Sequence, residues 1–244
     1  MKLKAPECVF SSAGFCPGCG HGLASRLVGE VAEELGIVEK LVTVVDVACC
    51  SFNIDYWNFD TIMAAHGRDI PTAAGVKYVR PDCPVLAYMG DGAAYSIGMA
   101  ETIHSALRND NICVIVINNS VFGMTGGQMA PTTLPGEKTA TSPKGKDPSR
   151  YGTISGVELL KGMDIAYLAR AELVGVGGMT KAKRYIKKAM EHQLNCDGFS
   201  LVELLSPCPT NLNLPPVKAK QFVHEEMTKY FPLGEFIDKG GDKQ

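Results

Sequence analysis

Short apolar runs alternate with amphipathic stretches along this chain, and the alternation predicts its secondary structure. Strands buried on both faces of a parallel sheet are continuous apolar runs. Such runs predict strands at residues 41–48, 84–89, 112–117, 173–176 and 199–205. Apolar positions at helical spacing predict helices at residues 23–35, 71–79, 96–108, 164–171, 181–194 and 218–231. Strands that alternate with helices in this way predict an α/β fold with a doubly wound parallel sheet.

Polar residues stand where two of the predicted strands end. One strand leads into G-D-G, whose acid is Asp91, and the next ends on two asparagines, the second being Asn119. Because parallel strands point their carboxyl ends to one edge of the sheet, Asp91 and Asn119 are expected to converge there. Their oxygens suit a small divalent ion that holds a diphosphate, and glycines let the backbone approach the anion. Each motif alone is also ordinary turn chemistry, but the pair favours the metal–diphosphate interpretation.

Two polar segments follow the second of these turns. Residues 120–133 contain three glycines and two adjacent threonines, which suit a loop that cradles phosphate; a flexible surface loop is the alternative. Residues 134–155 are rich in Pro, Gly, Lys, Ser and Thr and lack apolar periodicity. A connection this long is expected to be functional or to dock against a partner chain.

Composition limits the classes of protein to which the chain can belong. Its 244 residues are 45% hydrophobic and carry a formal net charge of -2, so neither nucleic acid nor a membrane is an expected partner. There is no apolar signal core and no apolar run of about 18 residues, which predicts a cytoplasmic location. Nine cysteines are many for such a chain. Since disulfides are rare in the cytoplasm, some are expected to bind metal.

The cysteines divide according to their context. Four positions in turns or at strand ends are expected to converge: Cys16, Cys19, one of Cys49 and Cys50, and Cys208. Four thiolates hold either zinc or a [4Fe–4S] cluster, and their spacing does not distinguish the two. The location favours the cluster, because a structural zinc has no reason to lie beside a diphosphate cofactor.

Several motifs, taken in order, resemble the β subunits of the 2-oxoacid:ferredoxin oxidoreductases. They are C-P-G-C-G-H, the cysteine near residue 50, H-G-R, G-D-G with the later N-N, G-M-T-G-G-Q and S-P-C-P. The resemblance covers nearly the whole chain and is closest to the branch with separate subunits that acts on 2-oxoisovalerate or 2-oxoglutarate. It implies a single thiamine diphosphate-binding domain over residues 1–244, with an N-terminal cluster-binding segment, 1–20, and a C-terminal extension, 207–244.

The resemblance also implies the cofactors and the residues that hold them. Mg²⁺ would be held by Asp91, the Asn119 side chain and the Val121 carbonyl. Thiamine diphosphate would lie against Gly90, Asp91, Gly92, Ala93, Asn119, Val121, Gly123, Met124 and Thr125. The [4Fe–4S] cluster would be held by Cys16, Cys19, Cys50 and Cys208. Cys50 is preferred to Cys49 because the family pattern is Gly-Cys-Ser, and His66 and Ser51 are expected at the substrate end.

The implied reaction is the oxidative decarboxylation of a 2-oxo acid with coenzyme A to acyl-CoA and CO₂, with electrons passing through the cluster to ferredoxin. The implied partners are an α subunit, which supplies the glutamate against the pyrimidine ring, and small γ and ferredoxin-like δ subunits. The chain alone is therefore expected to be inactive. No cation follows Cys50 closely and Gly126 stands where some relatives carry lysine, which favours an aliphatic substrate such as 2-oxoisovalerate.

Two other classes of protein stay open. One is a non-redox thiamine diphosphate-dependent decarboxylase or synthase subunit with structural zinc on the thiols, which iron analysis would distinguish. The other is a structural nucleotide-binding subunit, which would not retain thiamine diphosphate.

Overall fold

The structure is a computed structural model that describes residues 5–10 and 14–240. Parts of the predicted segments 1–20 and 207–244 therefore lie outside the described residues. The strands are β1 Val42–Asp46, β2 Asp60–Ala64, β3 Val85–Gly90, β4 Cys113–Asn118, β5 Val121–Phe122, β6 Gln128–Met129, β7 Tyr167–Glu172, β8 Ser200–Leu205 and β9 Gly234–Asp238.

Seven of these strands form one sheet in the order β2-β1-β3-β4-β8-β7-β9. All neighbouring pairs are parallel except β7 and β9, which are antiparallel. Strands β5 and β6 pair with each other in a separate two-stranded hairpin. Every residue of β4, β7 and β8 is buried, as expected of strands covered on both faces of a sheet.

Helices cover both faces of the sheet. They are α1 His21–Glu34, α2 Asp69–Val79, α3 Met99–Arg108, α4 Gly156–Leu160, α5 Gly175–Leu194, α6 Pro209–Leu212, α7 Pro216–Phe222 and α8 Thr228–Tyr230. Helices α1 and α5 pack in one apolar core, and α2, α3 and α4 pack in the other. The prediction of a doubly wound α/β fold is confirmed. In the described part of the chain, no helix has the length and apolarity needed to cross a membrane.

One stretch of secondary structure was predicted wrongly. The expected helix at residues 164–171 is instead strand β7, and the expected strand at 173–176 is the turn into α5, which begins at Gly175. The stretch is rich in alanine and contains Arg170, which suits an exposed helix. In the structure Arg170 is fully buried and pairs with Glu203 and Glu158. Strand β7 pairs with β8 on one side and β9 on the other, and this tertiary packing overrides the local preference for a helix.

The edge strands were not predicted. Strand β2 lies at one edge of the sheet, and β9 closes the other after a C-terminal helical segment that runs from Pro216 to Tyr230 through a π turn at Val223–Met227. Three of the five residues of β2 are exposed, so its sequence lacks the apolar run of a central strand.

Candidate functional site

Polar side chains and thiols meet at the carboxyl edge of the sheet. Asp46 is the last residue of β1, His66 follows β2, Asp91 follows β3, Asn119 follows β4 and Cys208 follows β8. From β1 the chain moves outward to β2, and from β3 it moves the other way to β4. The sheet therefore changes winding direction between β1 and β3. Ligands of open α/β sheets bind at such a point.

A first cavity, which we call the acid–amide cavity, opens at this edge. Most residues predicted to bind thiamine diphosphate line it, namely Gly90, Asp91, Gly92, Ala93, Asn119, Val121, Gly123 and Met124. The remaining wall is formed by His21, Asp46, Ala48, Cys49, Cys50, His66 and Phe122. The structure thus brings together residues from four separate strand ends.

Asp91 is buried at the floor of this cavity. Thr132 donates a hydrogen bond to its Oδ2. Burial raises the pKa of Asp91 to about 7, and the Thr132 hydrogen bond opposes that shift. A carboxylate that burial makes costly to ionise would be stabilised by a bound divalent cation.

Two adjacent asparagines follow β4, but only the second forms a corner of the cavity. Asn118 points away from the cavity, since its Nδ2 donates to Glu203 at 3.1 Å and its Oδ1 accepts from the Ser120 backbone N–H at 3.2 Å. Asn119 lines the cavity, and its Oδ1 accepts from the Val121 N–H at 3.3 Å. These bonds fix the turn, in which Ser120 adopts a left-handed φ of 62°.

Gly92 shows why a glycine is needed beside Asp91. A Cβ at this position would lie 2.2 Å from the ring of Phe122, which is far inside van der Waals contact. The backbone therefore approaches the hairpin that follows Asn119 more closely than any other residue would allow.

A second cavity of about 240 Å³, which we call the thiol cavity, adjoins the first. Its wall includes Cys16, Cys19, Cys49 and Cys208. Asn211 donates a hydrogen bond of 3.3 Å to the Cys208 sulfur. Within the described residues, no group of three His, Cys, Asp or Glu side chains is arranged to hold a single metal ion.

The structure groups Cys49, rather than the predicted Cys50, with the other three thiols. Both cysteines lie on a 3₁₀ helix, Cys49–Asp55, that follows β1. Successive residues of such a helix point about 120° apart. Cys49 faces the thiol cavity, whereas Cys50 is 1% exposed and packs in the core that contains Trp57 and Tyr88. The Gly-Cys-Ser pattern thus selected the cysteine that does not line the thiol cavity.

The two cavities share a wall. Five residues line both of them: His21, Cys49, Asn119, Gly123 and Met124. A Cβ on Gly123 would lie 3.6 Å from the Cys49 sulfur and 3.7 Å from the Asn119 Nδ2. The Cys49 thiol and the Asn119 amide are therefore separated by little more than the width of one side chain.

Two predicted site residues lie outside both cavities. Ser51 lies on the 3₁₀ helix after Cys50 and does not line either cavity as described. Thr125 is exposed, and its hydroxyl donates to Gln128 Oε1 at 2.7 Å. Arg68, the arginine of the H-G-R motif, forms an ion pair with Glu101.

His21, the histidine of the C-P-G-C-G-H motif, lines both cavities. It is the first residue of α1, but no side chain caps that helix. Its Nδ1 lies 3.1 Å from the Tyr88 hydroxyl and its ring stacks on Phe15. Burial lowers the pKa of His21 to about 4, so it is neutral between the two cavities.

The long polar segment at residues 134–155 braces the floor of the acid–amide cavity. Lys146 is 2% exposed, and its Nζ donates to the Thr133 carbonyl at 2.6 Å and to the Thr153 hydroxyl at 3.0 Å. Glu137 accepts from the Ser120 hydroxyl at 2.6 Å and from the Leu134 N–H at 2.8 Å. These bonds hold the turn that carries Thr132 against Asp91. Three polar residues of this segment, Glu137, Thr139 and Lys146, are thus buried within this chain, whereas most of its other polar residues are exposed.

We expect Glu137 to make the stability of this brace depend on pH. Burial raises the pKa of Glu137 from 4.5 to about 7, so the native state holds a proton that the unfolded chain releases over that interval. The free energy of unfolding should fall as pH rises through it, by about 3 kcal/mol. In E137Q this part of the decline should vanish, because the amide does not ionise. Urea unfolding at several pH values measures it; parallel wild-type and E137Q curves would contradict the expectation.

The fold and the site together define a thiamine diphosphate-binding domain. A protein-family model, that of the C-terminal TPP binding domain of thiamine pyrophosphate enzymes, matches residues 46–204. The match covers more than half of the chain. That match includes β3 and β4 and both corners of the acid–amide cavity.

Comparison with relatives places the chain within one family of such domains. It is 34% identical over 221 residues to the 2-oxoglutarate synthase subunit KorB of Archaeoglobus fulgidus, covering 88% of this chain and 77% of that subunit. It is 41% identical over 232 residues to the ketoisovalerate oxidoreductase subunit VorA of Methanothermobacter thermautotrophicus, covering 94% of this chain and 49% of that subunit. The chain belongs to the β-subunit family of the 2-oxoacid:ferredoxin oxidoreductases, as predicted.

A solved structure shares this fold. It is a 2-oxoglutarate:ferredoxin oxidoreductase from Magnetococcus marinus with 2-oxoglutarate, coenzyme A and succinyl-CoA bound. It is 26% identical, has a TM-score of 0.81, and the match covers 98% of this chain and 86% of that one. By contrast, the chain spans about half the length of the VorA subunits that it matches.

Proposed function

We propose that this chain is the thiamine diphosphate- and cluster-binding subunit of a 2-oxoacid:ferredoxin oxidoreductase. The complex would oxidatively decarboxylate a 2-oxo acid, transfer the acyl group to coenzyme A and pass electrons to ferredoxin. The observation that carries the proposal is the wall shared by the acid–amide cavity and the thiol cavity. A shared wall supports a diphosphate anchor beside a thiol cage, which redox chemistry on a bound cofactor would require.

The acid–amide cavity fits Mg²⁺ and a diphosphate. Asp91 keeps one carboxylate oxygen unbound by Thr132, and Asn119 and Val121 also line the cavity. Hard oxygen donors of this kind suit Mg²⁺, which keeps several positions for phosphate and water. We assign these three residues to Mg²⁺ and the glycines at 90, 92 and 123 to the diphosphate. Thiamine diphosphate supplies the carbanion chemistry at the 2-oxo carbon.

The thiol cavity fits a [4Fe–4S] cluster, for which we assign Cys16, Cys19, Cys49 and Cys208 as ligands. Burial raises the pKa of Cys19 to about 12 and that of Cys49 to about 11. Thiols that resist ionisation in an apolar cavity would be stabilised as thiolates by bound iron. Asn211 would then donate to the Cys208 thiolate, a hydrogen bond of the type that tunes cluster potential.

We further propose that the substrate is a 2-oxo acid with an aliphatic side chain. As far as the chain is described, neither cavity is lined by lysine or arginine, and the nearby Arg68 is paired with Glu101. A second carboxylate, as in 2-oxoglutarate, normally requires such a cation. The thiol cavity instead offers Phe15, Phe52 and Met124.

Activity is expected to require a partner subunit. No glutamate is among the described residues that line either cavity, so the acid that activates the pyrimidine must come from another chain. The test is turnover with Mg²⁺, thiamine diphosphate, coenzyme A, ferredoxin and a panel of 2-oxo acids, with and without the co-purified partner subunits. We expect acyl-CoA only from the complex, and fastest from 2-oxoisovalerate.

Three outcomes would contradict parts of the proposal. Robust turnover by the chain alone would exclude the need for a partner's glutamate. Preference for 2-oxoglutarate would refute the aliphatic substrate. Release of CO₂ without reduction of ferredoxin, together with zinc on the thiols, would identify a non-redox decarboxylase.

A further inference from the structure

We propose that Asp46 is a positioning residue that fixes His66 in the Nδ1–H tautomer, so that its Nε2 is the atom presented to substrate. This inference rests on the proposed function for its catalytic consequence, but its structural part concerns only two side chains of this chain. His66 would be the catalytic residue, and Asp46 would act through it.

The contact between the two side chains is close and buried on one side. His66 Nδ1 lies 2.9 Å from both carboxylate oxygens of Asp46. Asp46 is fully buried, whereas the His66 side chain is 28% exposed and lines the acid–amide cavity. A carboxylate only accepts hydrogen bonds, so Nδ1 must carry a proton. The neutral ring then has its lone pair on Nε2.

A second hydrogen bond fixes the carboxylate itself. Asp46 Oδ1 also accepts from the backbone N–H of Gly67 at 3.2 Å, the residue next to the histidine. The acid is thus held by both the side chain and the backbone of one turn. The edge of the His66 ring contacts Phe122, with ring centres 6.0 Å apart, which limits rotation of the imidazole.

The turn that carries His66 has little freedom to shift. Gly67 has a φ of +72°, and a Cβ on it would lie 2.8 Å from the Gly98 nitrogen. A Cβ on Gly98 would in turn lie 2.4 Å from the Gly67 carbonyl oxygen. The turn after β2 is therefore packed directly against the start of α3. His66 is held by its backbone, by Asp46 and by Phe122.

This arrangement gives the histidine a specific chemical capacity. Its Nε2 accepts a hydrogen bond when the ring is neutral and donates one when the ring is protonated. Either form can bind an oxygen of a 2-oxo acid that is held in the acid–amide cavity. General acid–base groups positioned in this way contribute about 10²–10⁴-fold to rate.

Substitution of Asp46 by leucine should release the tautomer. Oδ1 is the oxygen that bonds both His66 Nδ1 and the Gly67 N–H, and leucine supplies no acceptor in its place. The neutral ring should then return to the Nε2–H tautomer that a free imidazole prefers, whereas asparagine would keep an acceptor at the Oδ1 position and so keep the proton on Nδ1. The matched control is D110N, because Asp110 is a buried carboxylate that accepts from Ser105 and Arg108. It lies before β4, at the opposite edge of the sheet.

The direct test is long-range ¹H–¹⁵N NMR of the full chain labelled with ¹⁵N-histidine. The chain has five histidines, and H66Q identifies the signal of His66 by its loss. We expect the Nδ1–H pattern in wild type and D110N, and the Nε2–H pattern in D46L. An Nε2–H pattern in wild type overturns the proposal without any variant, as does an unchanged pattern in folded D46L.

The catalytic consequence is tested in the complex. We expect D46L to lower kcat at least about tenfold while KM changes less than about twofold, since the tautomer acts on the reacting group rather than on general binding. D110N should retain wild-type kcat. A D46L complex with wild-type kcat overturns the catalytic part. If the wild-type complex turns over no 2-oxo acid, the proposed function fails, and the NMR result still decides the Asp46–His66 assignment.

Discussion

Replacing Cys49 by serine is expected to remove the [4Fe–4S] cluster, whereas replacing Cys50 is not. Cys49 lines the thiol cavity with Cys16, Cys19 and Cys208, and Cys50 packs in the apolar core. Loss of one of four ligands should lower ferredoxin reduction at least about 100-fold, with loss of the broad visible absorbance. The measurements are iron content, visible spectrum and ferredoxin reduction of the anaerobically purified complex.

Cys50→Ser serves as the matched control, because it is the same substitution one residue away. We expect it to retain iron and electron transfer and to lose some thermal stability, since a buried thiol packs as a small apolar group. If C50S loses the cluster and C49S keeps it, the Gly-Cys-Ser pattern identified the ligand correctly and the assignment made from the cavity is wrong.

Replacing Asp91 by asparagine is expected to abolish tight binding of thiamine diphosphate. The substitution keeps the shape of the side chain and an acceptor for Thr132, but it removes the negative charge beside the Mg²⁺ position. We expect the affinity for thiamine diphosphate with Mg²⁺ to fall at least about 100-fold. Isothermal titration of the complex with thiamine diphosphate, with and without Mg²⁺, measures this directly.

The control for this substitution is again D110N, which removes a buried carboxylate at the other edge of the sheet. Its affinity for the cofactor should equal that of wild type. Unchanged binding by D91N would mean that the diphosphate is held elsewhere and that the acid–amide cavity is not its site.

The acid–amide cavity could be predicted because its residues stand at strand ends. The apolar runs before Asp91 and Asn119 are central strands, and the parallel arrangement brings their carboxyl ends together whatever the rest of the chain does. Cys208 could be placed for the same reason, since it follows β8. Strand polarity therefore carries most of the information about this site.

The choice between Cys49 and Cys50 could not be made from local sequence. The two residues are adjacent, and their directions depend on the 3₁₀ helix that begins at Cys49. A regular extension of β1 would have alternated their faces differently. The resemblance to the Gly-Cys-Ser pattern gave a definite answer, but the residues before it differ from that pattern.

The burial of several charged residues also could not be predicted from the sequence. Arg170, Lys146 and Glu137 all resemble solvated surface residues, yet each is buried and bonded to a residue distant along the chain. Their partners follow from tertiary packing rather than from periodicity. The same holds for Asp46 and His66, which meet because β1 and β2 are neighbours.

The most direct test of the central claim is a crystal structure of the anaerobically purified complex with Mg²⁺ and thiamine diphosphate, with anomalous data collected at the iron edge. The account predicts an iron peak enclosed by Cys16, Cys19, Cys49 and Cys208, with the diphosphate against Asp91 and Asn119 across the shared wall. A zinc peak among the thiols, or iron and diphosphate bound far apart, would contradict it.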